Sequence, residues 1–324
     1  MNVLSLFDGM SCGQIALNKV GIKPSKYYAA EIDKHAIKVT QTNYPETIQL
    51  GDVTSWRDWD VDWPNIDLLI GGSPCQGFSF AGKQLAFDDS RSKLFFVFVD
   101  ILEHIKRINP NIKFMLENVK MRKDYIAEIT RILEVKPICV NSDLVSAQNR
   151  VRYYWVNIED VEQPSDKGIV LSDIIEKGVI DRDKSFCIGA NYWKGGNLKS
   201  YFEKHRRQLV FELSTINPRV VDVSITDDGI RPHRGDKRKS GLSEMGRLLF
   251  KDASKTYTIT SAHAPKIIDN LGYRKLTPIE CERLQTVPDN YTNHVSNTQR
   301  YKMLGNGWTV DVIAHIFKNL KGQN

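Results

Sequence analysis

The sequence lacks several features that would each define a functional class. No apolar run approaches the roughly 20 residues of a membrane-spanning helix, and 41% hydrophobic with 26% charged residues is the balance of a soluble globular chain. The first residues, MNVLSLFDGM, show no basic leader followed by an apolar block and cleavage site, so secretion is not expected. Cysteine is scarce. The five (Cys12, Cys75, Cys139, Cys187 and Cys281) are scattered and form no C-x-x-C pair, which argues against a zinc site or a disulfide framework. An odd number without a leader fits a reducing cytoplasm. Each is expected to be a small buried hydrophobe, with Cys75 the exception. The three-glycine dinucleotide fingerprint is also missing, which disfavours hydride chemistry with NAD. No repeat or low-complexity tract is present.

Net charge is modest: 45 Lys and Arg against 39 Asp and Glu leave +6 over 324 residues. Its distribution says more. Residues 1–163 carry −2, residues 164–272 carry +5, and residues 273–324 carry +3. A polyanion would be drawn to the second half and not to the first.

Short apolar runs alternate with helix-like stretches in the first half, the pattern of an α/β fold with a mostly parallel sheet. Strands are expected at Val3–Phe7, Tyr27–Ile32, Ile48–Leu50, Asp67–Ile70 and Phe114–Glu117. Helices are expected at Cys12–Val20, Lys34–Asn43 and Lys93–Ile108, and Ile138–Leu144 with Arg152–Ile158 could close the sheet as a hairpin. After about Pro164 the periodicity degrades into a loop-rich, basic stretch with its own small sheet. Helices resume at Pro278–Gln285 and Val310–Leu320.

Side chains able to do chemistry fall at the strand ends, where such sheets bind ligands. The Asp8-Gly9 turn brings backbone N–H groups close to the start of a helix. Glu31, at the end of the second strand, can accept from ribose hydroxyls, and Asp52, after the third, from an adenine amino group. Three carboxylates around one crevice suit a nucleoside bearing positive charge, such as S-adenosylmethionine; the alternative is that they serve as helix caps and turn residues. Cys75, on the Pro74/Gly77-bounded loop after the fourth strand, becomes a nucleophile if nearby cations lower its pKa. Arg150 and Arg152 alternate onto one face as the chain enters a strand, where they need an anionic or thiolate partner. Glu117 ends its strand and points into the same crevice, as a proton donor or an ordinary edge acid.

Taken in order, Phe7-Asp8-Gly9, Glu31, Asp52, Pro74-Cys75-Gln76, Glu117-Asn118-Val119, Gln148-x-Arg150-x-Arg152, Arg274 to Gln285 and Gly305-Asn306-Gly307 resemble the C5-cytosine DNA methyltransferase family. The resemblance spans nearly the whole chain. Residues 77–96 resemble the catalytic loop of restriction–modification enzymes of bacteria and phages. Val145 to Trp155 and Gly307-Trp308-Thr309-Val310 resemble the catalytic domain of animal de novo methyltransferases.

The resemblance implies a Rossmann-like S-adenosylmethionine-dependent domain over residues 1–163, completed by 296–324, with a smaller loop-rich target-recognition domain over 164–295. It implies that Cys75 attacks C6 of a flipped cytosine, that Glu117 engages N3, that Arg152 holds O2, and that Arg150 helps organise thiolate and glutamate. Cofactor contacts are implied at Phe7, Asp8, Gly9, Cys12, Gly13, Glu31, Ile32, Asp52, Val53, Pro74, Leu94, Asn306 and Gly307, with no metal. Thr258 to Ser261 resembles the element that anchors the recognition unit, and Lys204 to Arg207 and Arg231 to Lys239 are candidate phosphate or base contacts. The expected partner is double-stranded DNA, bound by a monomer in the cytoplasm of a bacterial or phage-infected cell. A cognate restriction endonuclease is a further partner that the resemblance admits. The alternatives are the same chemistry on tRNA, or a catalytically inactive DNA-binding regulator. Two departures stand out: a turn sparse in glycine, Gly9-Met-Ser-Cys-Gly13, and glycine rather than serine after Asn306.

Overall fold

The computed structural model describes residues 1–73, 93–212, 224–226, 229–231 and 272–322. The first half is built from β1 (Asn2–Leu6), α1 (Cys12–Lys19), β2 (Lys26–Ala30), α2 (Lys34–Asn43), β3 (Ile48–Gln49), β4 (Leu68–Gly71), α3 (Lys93–Ile108), β5 (Lys113–Val119), α4 (Lys123–Leu133), β6 (Pro137–Asn141) and β7 (Val151–Val156). These strands form one seven-stranded sheet in the order β3-β2-β1-β4-β5-β7-β6. The run from β3 to β5 is parallel, and β7 pairs antiparallel with both β5 and β6. The anticipated hairpin therefore does close the sheet. Because β1 lies between β2 and β4, the strand order reverses beside it, and the crevice outside its carboxyl end is where ligands bind in open α/β sheets.

Both faces of this sheet are covered, so its central strands are apolar throughout. Val3, Ala29, Leu68 and Ile70 face one core, while Leu4, Leu6, Leu69 and Phe114 face the other. Helix α3 presents Phe95, Phe98, Ile101, Leu102 and Ile105 to the second core at helical spacing, all fully buried. Each such side chain contributes about 1.5–3 kcal/mol by leaving water.

The second half begins with α5 (Leu171–Ile174), α6 (Leu198–Lys204), β8 (Leu209–Glu212), β9 (Ser224–Thr226), β10 (Gly229–Arg231) and β11 (Gly272–Lys275). Strands β8 and β11 pair antiparallel, as do β9 and β10, which supplies the small separate sheets. The chain then returns through α7 (Pro278–Leu284), α8 (Asn297–Asn306) and α9 (Val310–Phe317). Helix α7 shows why Arg274 to Gln285 reads as a motif. Thr277 and Glu280 form a reciprocal capping box with Pro278 in the first turn, and Arg274 grips the fully buried Glu280 through two 2.8 Å hydrogen bonds. That motif is structural in origin.

Helices α4 and α8 were not anticipated. Neither Arg122 nor Ser296, their N-caps, makes a side-chain capping bond, so the usual start signal is absent.

Candidate active site

After β1 the backbone turns through left-handed conformations at Phe7 (φ 58°), Gly9 (φ 59°) and Ser11 (φ 64°). Non-glycine residues rarely adopt these, and their concentration at a strand end marks a constrained turn. The turn is sparse in glycine because Ser11 itself takes the left-handed position. A Cβ on Gly9 would meet nothing within 4 Å, whereas one on Gly13 would stand 2.4 Å from Ile70 Cδ1. Gly9 thus faces open space, and Gly13 lets α1 lie against the sheet.

Glu31 organises this turn from below. Its Oε2 accepts from Gly9 N, and its Oε1 accepts from Ile32 N and Asp33 N, each at 2.8 Å. Beside it Ile32 is 75% exposed, an apolar surface standing free at the crevice. Asp52 caps the following turn, its Oδ1 accepting from Thr54 N and Oγ1. Asp52 is thus a helix N-cap and Glu31 a turn residue, and each still presents its group at a strand end. Val53 is buried, Phe7 and Leu94 are half-buried, and Asn306 is exposed.

Asp8 departs from the expected acidic rim. It is buried beneath the turn, with Oδ1 accepting from Tyr27 OH at 2.8 Å and Oδ2 buried without a partner among the described residues. Burial pushes its pKa up to about 6, against the opposing pull of the Ser5, Ser11 and Tyr27 hydroxyls.

The glycine after Asn306 has a packing reason. A Cβ on Gly307 would stand 2.9 Å from Met10 Cε and 3.1 Å from Met303 O, so a serine there requires movement. Cys12 is buried against this segment, its Sγ 3.8 Å from Trp308 O, and burial pushes its thiol up to about 12.

On the other side of the switch point, β5 brings Glu117 opposite Tyr154 of β7, which makes Arg152 its diagonal neighbour. Arg152 Nε lies 2.9 Å from Glu117 Oε1, with both side chains largely buried. Glu117 Oε2 accepts from the Trp308 indole N–H at 3.1 Å. Trp308 was not singled out as a site residue. Its signal was a lone indole directly after Asn306-Gly307.

Arg150 lies elsewhere. Almost fully buried, it donates to Cys187 Sγ (3.2 Å) and to the carbonyls of Ile188 (3.0 Å), Gly305 (3.2 Å) and Gly307 (2.9 Å). Its hydrogen bonds clamp the chain around residues 187–188 and 305–307 and do not reach Glu117. The reason is position: Arg150 precedes β7, where the chain is crossed by the returning C-terminal segment. Gln148 and Gln285 join the clamp, with Gln285 donating to Leu304 O and Gly307 O.

The expected burial of every cysteine but Cys75 fails at Cys139 and Cys187, which are exposed. Desolvation works against the Cys187 thiolate, but Arg150 and Arg152 outweigh it and lower the thiol below its usual value.

Pro74, Cys75, the 77–92 segment, Thr258 to Ser261 and residues 232–239 lie outside the described residues. No His, Cys, Asp or Glu cluster suited to a metal occurs among those described.

The site is thus a switch-point crevice with the Glu31-braced turn on one side and a glutamate–arginine pair on the other. The model of the C-5 cytosine-specific DNA methylases matches residues 1–322, and the chain belongs to that family. It is similar to the type II methyltransferase M1.ScrFI of Lactococcus lactis subsp. cremoris, 29% identical over 98% of this chain and 77% of that one. M.HpaII of Haemophilus parainfluenzae is also 29% identical, over 98% and 88%. Among solved structures, Entamoeba histolytica EhMeth superposes with a TM-score of 0.65 at 17% identity, covering 100% of this chain and 99% of that one. The S. pombe Dnmt2 methyltransferase gives 0.64 at 17%, with the same coverage. These two establish the fold. The chain is thus a cytosine-C5 DNA methyltransferase that uses S-adenosylmethionine.

The residues present fit that cofactor. Gly9 leaves open space at the turn, Ile32 offers an exposed apolar surface, and Glu31 and Asp52 supply acceptors that accept from N–H and hydroxyl groups rather than from a cation among the described residues.

Proposed function

We propose that the protein methylates C5 of a cytosine flipped out of a specific short site in duplex DNA, through a covalent bond from Cys75 to C6. Glu117 engages N3 as Cys75 Sγ adds, so that electron density accumulates at C5. Carbon 5 takes the methyl group that S-adenosylmethionine supplies. Loss of the C5 proton then returns the electron pair and expels Cys75. The base must leave the stack because neither C5 nor C6 can be attacked within it. Arg152 holds cytosine O2 with the guanidinium that orients Glu117, and Arg150 acts indirectly, by fixing residues 305–307. Glu31, Ile32, Asp52 and Val53 hold the nucleoside of the cofactor; Phe7, Asp8, Gly9, Cys12, Gly13, Pro74, Leu94, Asn306 and Gly307 complete its surroundings. Residues 164–295 form the target-recognition unit, whose cations grip phosphates. The enzyme acts as a monomer, in the cytoplasm of a bacterial or phage-infected cell.

One observation carries this reading: a glutamate–arginine pair at 2.9 Å, largely buried at the strand end beside the switch point. A buried charge pair between two interior strands is a costly way to add stability, but a direct way to preset a carboxylate for catalysis. The test is transfer of radiolabelled methyl groups to duplex DNA and to tRNA, with wild type and Glu117→Gln. Transfer to DNA, falling at least about 100-fold in the variant, supports the reading. Transfer to tRNA alone, or an unaffected variant, overturns it.

A further inference from the structure

Among the described residues Glu117 is held at both oxygens, and only one of the two partners belongs to the arginine motif. The other is Trp308, whose indole N–H donates to Oε2 while Arg152 takes Oε1. We propose that Trp308 is a positioning residue for the catalytic carboxylate; this rests on the role of Glu117 set out above.

Three features support it. The contact requires Gly72: a Cβ there would stand 2.9 Å from Trp308 Nε1 and 3.0 Å from Glu117 Oε2, filling the space where the two meet. The backbone that carries the indole is fixed from several directions. Cys12 Sγ donates to the carbonyl of Trp308, and Arg150 and Gln285 donate to the carbonyl of Gly307. Tryptophan is also a donor only, so its N–H needs an acceptor when half-buried, and here that acceptor is the carboxylate.

The terminal torsion of a glutamate is broad and roughly two-fold. One donor on one oxygen leaves the carboxylate plane free to rock about that contact. A donor on each oxygen fixes the plane, so the group presented to cytosine N3 is oriented before the base arrives. The strap from Gly305 to Thr309 thereby joins the cofactor turn, through Cys12, to the base pocket, through Trp308. Trp308 itself does not touch the reacting atoms.

Trp308→Phe keeps a ring in the same space and removes only the donor. The expected result is a kcat for methyl transfer lowered roughly 10- to 100-fold, as for loss of a hydrogen bond to a charged group, with KM for S-adenosylmethionine and for DNA within about twofold. An unchanged kcat, or a loss expressed wholly in KM, overturns the proposal. A second arm does not depend on turnover. In a proton–nitrogen correlation spectrum the Trp308 indole peak, assigned by its absence from Trp308→Phe, is expected to move clearly in Glu117→Gln. An indole peak that stays in place means that the contact is not made and overturns the proposal. Wild-type transfer to DNA, measured alongside, tests the underlying reading separately, and the spectroscopic arm stands whatever that control gives.

Discussion

Asp8 holds a carboxyl whose pKa burial raises to about 6, while an unfolded aspartate ionises near 3.8. Between those values the unfolded chain loses its proton first, so ionisation of Asp8 destabilises the fold progressively as pH rises and levels off above the folded value. A difference of that size corresponds to about 3 kcal/mol. Asp8→Asn keeps the acceptor for Tyr27 OH and removes the charge. It is therefore expected to leave stability nearly unchanged near pH 4 and to raise it by roughly 1–3 kcal/mol near pH 8. Urea unfolding at both pH values checks this, and an equal effect at the two would show that ionisation is not the cause. At the same scale Glu31 and Asp52 carry structural duties, since both accept from backbone N–H groups. Sequence spacing could place these acids at strand ends. It could not tell a rim carboxylate from one beneath the turn, because that depends on which hydroxyls the packed neighbours offer.

Among the elements, β7 and the strap that follows α8 decide how the arginine pair is used. Alternation along a strand assigned Arg150 and Arg152 to one face but not to one partner. Arg152 meets Glu117 across the sheet, whereas Arg150 meets the carbonyls of a segment more than 150 residues away in sequence. The two should therefore fail differently. Arg150→Met removes the guanidinium donor from the buried carbonyls of Ile188 and Gly305, while Gly307 O keeps Gln285, and is expected to cost roughly 2–4 kcal/mol of stability and to weaken cofactor binding. Arg152→Met should abolish most turnover, destabilise through the carboxylate of Glu117 it leaves unpaired, and leave cofactor binding within about twofold. Thermal unfolding and cofactor titration of both variants check this; equal losses of cofactor affinity would contradict the division. Elements whose ends carry caps or strong periodicity, such as α2 and α3, were legible with their observed bounds. The ends of α4 and α8 carry no side-chain cap, and tertiary packing sets them instead. Trp308 escaped notice for a related reason: nothing local marks an indole that acts on a strand 191 positions away.

For the whole molecule, the division of charge is the feature that composition alone conceals. With a net −2 on residues 1–163 and a surplus of +8 on the remainder, the proposed division puts most of the cofactor's contacts in the first half and the grip on DNA phosphates in the second. Their salt dependence should differ accordingly. Affinity for a labelled duplex is expected to fall at least about tenfold between 50 and 200 mM salt through release of condensed counterions. Affinity for S-adenosylmethionine, set by a few short contacts, should change by less than about twofold. Parallel slopes in anisotropy and cofactor titrations would deny the division. The α/β architecture was readable because strand and helix periods alternate cleanly, whereas residues 164–272 offer few apolar runs from which to read their form.

The most direct test of the account is covalent trapping. Duplex DNA carrying 5-fluorocytosine at the target site cannot lose its C5 substituent as a proton, so the enzyme should remain bound to it through Cys75 after methyl transfer. The account predicts a denaturation-resistant protein–DNA adduct that requires S-adenosylmethionine and disappears in Cys75→Ala. An adduct formed equally by Cys75→Ala, or none from an enzyme that methylates ordinary DNA, would contradict it.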